Sequence, residues 1–218
     1  MEPSFWLERW QSKNIGFHRE AYHPALQGHW HKLGVEPPSS VFVPLCGMSR
    51  DMEWLAQRGH RVVGVELSEL AIDAFMNGQN LTPVVEVRGE FIVKSAGPYE
   101  LWCGDLFTLP EACLVSISAI YDRASLVALP PPMQTRYAQW LKQKLPGAPV
   151  LIVSLGYDQS EMTGPPFSLP EARVRELLGD HYDVVVLSSD EVINDNEALR
   201  NRGLTKLHET VYIARGTL

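Results

Sequence analysis

Four residues with useful chemistry stand at or just beyond the ends of apolar runs: Gly47, Glu66, Asp105 and Arg123. Residues so placed on an alternating strand and helix pattern mark a small-molecule site at strand ends. Glu66 follows Gly47 by 19 positions, about the separation at which an acid meets a ribose diol. A dinucleotide would set its pyrophosphate on the next helix N-terminus and ask for several glycines there. Only Gly47 lies between Leu45 and Arg50, and the helix that follows opens with Asp51 and Glu53, which would repel a diphosphate. A ligand with a ribose but no phosphate removes both objections. The plainer alternative, a solvent-facing acid and a turn glycine, stays open on these two residues alone.

Other reactive residue types carry less. Trp6 and Trp10 are four apart and share one face of a helix; such a pair is ordinarily core, but a helix preceding the first strand can also act as a lid. His29 and His31 are two apart and diverge on a helix, and no Cys or carboxylate joins them at ligand spacing, so no metal is expected. Cys46 reads as a small packing residue, since no base stands near it in sequence.

These residues need a scaffold, and the pattern supplies one. Strands are expected at 41–45, 61–66, 84–87, 91–104 (a hairpin turning at Ala96-Gly97-Pro98), 114–122, 149–157, 182–192 and 207–216. Helices are expected at 51–59, 69–77 behind Ser68 as N-cap, 132–145 and 169–179 with Pro170 in the first turn. Alternation of the two implies a doubly wound parallel sheet with helices on both faces. The last two strands are joined by a loop too short for a crossover helix, so that pair should be antiparallel.

The chain has 218 residues, 45% hydrophobic, enough for one substantial core, and is read as a single domain over 1–218: an N-terminal helical lid, 1–35, and a sheet core, 41–218. A net charge of −7 argues against nucleic acid, which wants a basic stripe. No apolar run approaches the roughly 20 residues of a membrane helix. Three cysteines without CxxC spacing suit a reducing cytoplasm. The partner is expected to be a small molecule and the chain a monomer. S-adenosylmethionine meets the requirements of the Gly47–Glu66 unit, being a cationic sulfonium with a ribose and no phosphate. Asp105, in CGDLF (103–107), stands where a third strand-end loop would pass the adenine and could accept from its exocyclic amine. An antiparallel final strand pair is a common ending for methyltransferase sheets, so methyl transfer becomes the leading class.

Three stretches taken together resemble the thiopurine S-methyltransferase family, its bacterial members above all: WLERWQSKNIGFH (6–18), FVPLCGMSRDMEWLAQRGHRVVGVELS (42–68), and CGDLFTLP followed by YDRASLVALPP (121–131). The resemblance runs from about residue 5 to LHETVYIARG. It implies the class I S-adenosylmethionine-dependent methyltransferase fold, a seven-stranded, mostly parallel sheet with an antiparallel last strand. It also implies methylation of a thiol on a small aromatic heterocycle, with selenium and tellurium compounds as further acceptors. Carried over by position, Trp10 would cover the cofactor, Leu45 would end the first strand beside it, and Glu66 would hold the ribose. Asp105 and Leu106 would flank the adenine, Arg123 would lie by the reacting groups, and Phe17 would line the acceptor pocket. Arg200 and Arg202 fall near a family region that includes a substrate-contacting arginine. No side chain is assigned as acid or base; Arg123 is expected to favour the acceptor thiolate. The rival readings are an O- or N-methyltransferase of another small metabolite, an NAD-type oxidoreductase, and a non-catalytic S-adenosylmethionine-binding module.

Overall fold

A computed structural model describes residues 3–217. The chain falls into two compact units, the first ending at Tyr121 and the second beginning at Asp122.

The first unit begins with α1 (Pro3–Gln11) and α2 (Pro24–His29), followed by β1 (Ser40–Val43), α3 (Asp51–Gln57), β2 (Arg61–Glu66) and α4 (Glu69–Gly78). Then come β3 (Val84–Arg88), β4 (Phe91–Ala96), β5 (Tyr99–Cys103) and β6 (Ile117–Arg123), whose last two residues belong to the second unit. Its strand order is β3-β4-β5-β2-β1-β6. β2 pairs in parallel with both β1 and β5, and β1 pairs in parallel with β6. Strands covered on both faces read as continuous apolar runs: Val41, Phe42, Val62, Val63 and Val65 are at most 1% exposed. β4 and β3 add an antiparallel edge beyond β5.

The second unit contains α5 (Pro131–Lys144), β7 (Val150–Gly156), α6 (Glu171–Leu178), β8 (Tyr182–Glu191), α7 (Glu197–Arg200) and β9 (His208–Gly216). β9 lies between β7 and β8 and is antiparallel to both. β3, β4 and β5 fall where the sequence pattern placed a strand at 84–87 and a hairpin over 91–104, and they bring the strands among the described residues to nine where the resemblance implies seven.

Two local expectations change. The 193–206 connection is not a plain loop: a 3-10 turn (Ile193–Asp195) and α7 lie in it. Met162, Ile193, Leu204 and Leu207 form a small core there, with Leu155, Tyr157, Val192 and Leu199 packed against it. β6 begins at Ile117, three residues later than its apolar run suggests, because Leu114 N–H turns back to Glu111 O and Ile117 N–H to Leu114 O.

Candidate functional site

The loop after β1 makes the first wall. Cys46 N–H donates to Val65 O at 3.0 Å, which holds this loop to the end of β2. Leu45 (φ +46°) and Gly47 (φ +52°) both adopt left-handed backbone, folding the chain back over the strand end. Cys46 is buried, and its Sγ lies 2.8 Å from where a Cβ on Gly64 would stand, so that strand glycine makes room for the loop. Burial pushes the Cys46 thiol well above its usual pKa, and Cys103, beside the third strand end, is pushed up to about 11. Neither is a ready nucleophile.

Glu66 closes β2 and is only 6% exposed. One carboxylate oxygen accepts the Gly47 N–H and the other the Ser68 N–H, both at 2.9 Å. Desolvation raises its pKa, and the backbone N–H groups of Ser68, Gly47 and Leu67 pull against that rise. A carboxylate offers roughly four acceptor positions, so capacity remains for hydroxyl donors. Glu66 therefore organises two loops and still has capacity for a diol.

The third wall joins the second directly. Glu66 pairs with Cys103 across the β2–β5 ladder, and Gly104 N–H donates to Glu66 O at 2.9 Å. Asp105 follows, exposed, and its Oδ1 caps a short 3-10 turn by accepting the Phe107 N–H at 2.9 Å. Leu106 is 2% exposed and anchors the turn in the core.

α1 forms a cover. Trp10 is 9% exposed, and its Cζ2 lies 3.0 Å from where a Cβ on Gly47 would stand. Phe17 packs edge-on against Trp10 at 5.5 Å and Trp6 at 5.8 Å between ring centroids. Trp10, Phe17, Leu45, Gly47, Glu66, Asp105 and Leu106 are thus all described within the first unit. Arg123 is the last residue of β6 and falls in the second unit. Arg202 there donates to Pro165 O at 2.8 Å, fastening the 193–206 segment to the loop after β7.

Asp51 and Glu53, the two carboxylates read as repelling a diphosphate at the start of α3, are both engaged. Asp51, 1% exposed, accepts the His23 N–H at 2.8 Å and the Tyr121 hydroxyl at 2.9 Å. Glu53 pairs with Arg50 at 2.8 Å and accepts from Gln57 and Gln79. The buried acid had one weak sequence signal, its place at the head of a helix whose next residues are apolar. Nothing local announces Tyr121, 70 positions away.

The comparisons with known proteins now decide the family. The sequence profile described as Thiopurine S-methyltransferase matches residues 1–217. The chain belongs to the thiopurine S-methyltransferase family. Proteins named thiopurine S-methyltransferase from Pseudomonas fluorescens strain Pf0-1 and Methylococcus capsulatus are 47% and 43% identical to it. The first alignment covers 99% of this chain and all of the relative; the second covers 99% and 98%. A solved Burkholderia thailandensis 1,6-didemethyltoxoflavin-N1-methyltransferase, crystallised with S-adenosylhomocysteine, is similar in fold at a TM-score of 0.66 and 21% identity. That match covers 99% of this chain and 87% of that one. A Methanosarcina mazei S-adenosylmethionine-dependent methyltransferase matches at 0.65 and 16%, covering 88% and 98%. The class I fold, the methyltransferase activity and S-adenosylmethionine as cofactor follow. The family's cofactor fits the residues built here: a buried carboxylate with acceptor capacity to spare, beside a glycine loop covered by an indole.

Proposed function

We propose that this enzyme methylates the sulfur of thiopurines and similar small aromatic thiols, with soft selenium and tellurium species as further acceptors. The observation that carries the reading is the end-to-end similarity to relatives named for thiopurine S-methylation, two of them 47% and 43% identical. S-adenosylmethionine, when bound, would supply a methyl group activated on a sulfonium: the acceptor sulfur would bond to the methyl carbon in line as the carbon–sulfonium bond breaks, with neutral S-adenosylhomocysteine as the leaving group. What the chain must add is orientation and dryness. Holding reacting atoms near attack distance contributes up to roughly 7–11 kcal/mol.

In this reading Glu66 holds the ribose diol, Asp105 and Leu106 flank the adenine, Leu45 backs the loop, and Trp10 closes over the top. Phe17, already packed edge-on against Trp10, lines the acceptor side. Arg123 favours the acceptor thiolate, since a nearby cation lowers a thiol pKa. No general base is required for a thiolate acceptor. The same reading makes the chain a single-domain, cytoplasmic monomer with no nucleic-acid or membrane partner. Among the described residues no helix is long and apolar enough to cross a membrane.

The test is kcat/KM against pH with a thiopurine acceptor for wild type, Arg123→Ala and Arg123→Lys. Arg123→Ala should lose most where the free thiol is still protonated, and the deficit should shrink above the acceptor's own pKa. Lysine should recover part of the rate, since a point charge suffices for acidity but not for a forked contact. Wild type without activity on any thiopurine sinks the acceptor assignment. A loss constant across pH, with lysine no better than alanine, removes Arg123 from the thiolate role.

A further inference from the structure

Between α1 and α2 the chain runs from Ser12 to His23 without helix or strand. Its far end is fixed to α3 and to Arg50 just before it. The Arg50 guanidinium donates to Glu20 O at 2.9 Å and lies 5.3 Å over the Tyr22 ring. Gln57 donates to the Tyr22 hydroxyl at 3.1 Å. Deepest in this contact is Asp51, whose carboxylate takes the His23 N–H on one oxygen and the Tyr121 hydroxyl on the other. His23 is itself 2% exposed and caps α2, its Nδ1 accepting the Ala25 N–H at 3.2 Å. Three elements therefore meet on one buried carboxylate: the return arm of the cover, the helix that follows the glycine loop, and the end of β6.

We propose that Asp51 is a positioning residue for cofactor binding, acting through the arm 12–23 rather than by touching ligand. The inference rests on the reading that Trp10 and Glu66 form the cofactor site. With residues 20–23 pinned to α3 and Ser12, Lys13 and Asn14 bonded back to the end of α1, the slack between them is confined to about residues 15–19, so Trp10 returns to the same place over Gly47 each time the cover closes. Loosening the far end lets the cover settle in many places, and affinity falls without any ligand contact being lost. The bonding pattern makes the role specific. Asn at this position keeps both links, its carbonyl oxygen accepting from His23 and its amide donating to the Tyr121 oxygen. Ala keeps neither.

The test is S-adenosylhomocysteine affinity by calorimetry and hydrogen exchange of residues 12–23 at saturating ligand, on the full chain, for wild type, Asp51→Ala, Asp51→Asn and Tyr121→Phe. The expected result is an affinity loss of about tenfold for Asp51→Ala, recovery to within about threefold for Asp51→Asn, and an intermediate value for Tyr121→Phe. Exchange at 12–23 should quicken in Asp51→Ala and stay at the wild-type rate in Asp51→Asn. The KM for S-adenosylmethionine should rise in Asp51→Ala more than kcat falls. Wild-type affinity in Asp51→Ala, or Asn no better than Ala, overturns the proposal. If Asp51→Ala fails to fold, Tyr121→Phe decides, and wild-type affinity there overturns it. Wild-type protein that leaves S-adenosylhomocysteine unbound refutes the site reading itself, before any variant is considered.

Discussion

Each oxygen of the Glu66 carboxylate already holds a backbone N–H, so the residue has a structural duty apart from any ligand. That sharpens what a substitution there must do. Glu66→Gln keeps shape but turns an amide N–H toward Gly47 or Ser68, donor against donor, and removes the charge that strengthens bonds to a ribose diol. Affinity for S-adenosylhomocysteine should fall by about 1.5–3 kcal/mol, and the melting midpoint of ligand-free protein should fall with it. Calorimetry and a thermal melt on one preparation read both; an unchanged dissociation constant removes Glu66 from the site. The Gly47–Glu66 pair was legible in sequence because spacing after a strand is a local property of the βαβ unit. The roles of Asp51 and Tyr121 were not, because a bond between residues 70 apart exists only once β6 lies beside β1.

At the scale of elements, α1 and the glycine loop are matched surfaces. Gly47 has little space for a side chain: a Cβ would stand 3.0 Å from the Trp10 ring, tight enough that the ring must give way, on backbone at φ +52°. Gly47→Ala should therefore unseat the indole as well as strain the turn. Covers that load and release ligand are drawn from the less stable parts of a fold. Hydrogen exchange of residues 5–18 should accordingly slow when S-adenosylhomocysteine binds wild type, and much less in Gly47→Ala. Equal protection with and without ligand would make Trp6 and Trp10 plain core. Helices and strands were readable to within a few residues because apolar periodicity repeats several times along each. The 193–206 segment was not, since INDNEALRNRGLTK has too few apolar positions to show a period. Ile193, Leu199 and Leu204 are nonetheless enough to pack it onto Met162 and Leu155.

Over the whole molecule, buried carboxylates and bound cofactor pull stability in separable directions. Asp122 accepts from the Tyr137 hydroxyl at 2.7 Å, yet full burial raises its pKa from 3.8 to about 6. A raised folded-state pKa means stability is fully present below the unfolded value and is lost as pH climbs through the folded one. Asp122 thus contributes a decline between about pH 4 and pH 6. Ligand linkage is best measured above that window, near pH 7.5, where this ionisation is complete. There, S-adenosylhomocysteine at 100 times its dissociation constant should stabilise the fold by about 2.7 kcal/mol through mass action. For a chain of this size each kcal/mol moves the midpoint by roughly 2–4 °C, so a shift of about 5–11 °C is expected. NAD at the same concentration should produce none, because its pyrophosphate would have to enter beside a loop with a single glycine, Gly47, already covered by Trp10. An equal shift with both ligands would mean the pocket reads adenosine alone and that Trp10 yields to a diphosphate. The cover would then select neither the sulfonium nor its surroundings, and discrimination would have to come from the acceptor side.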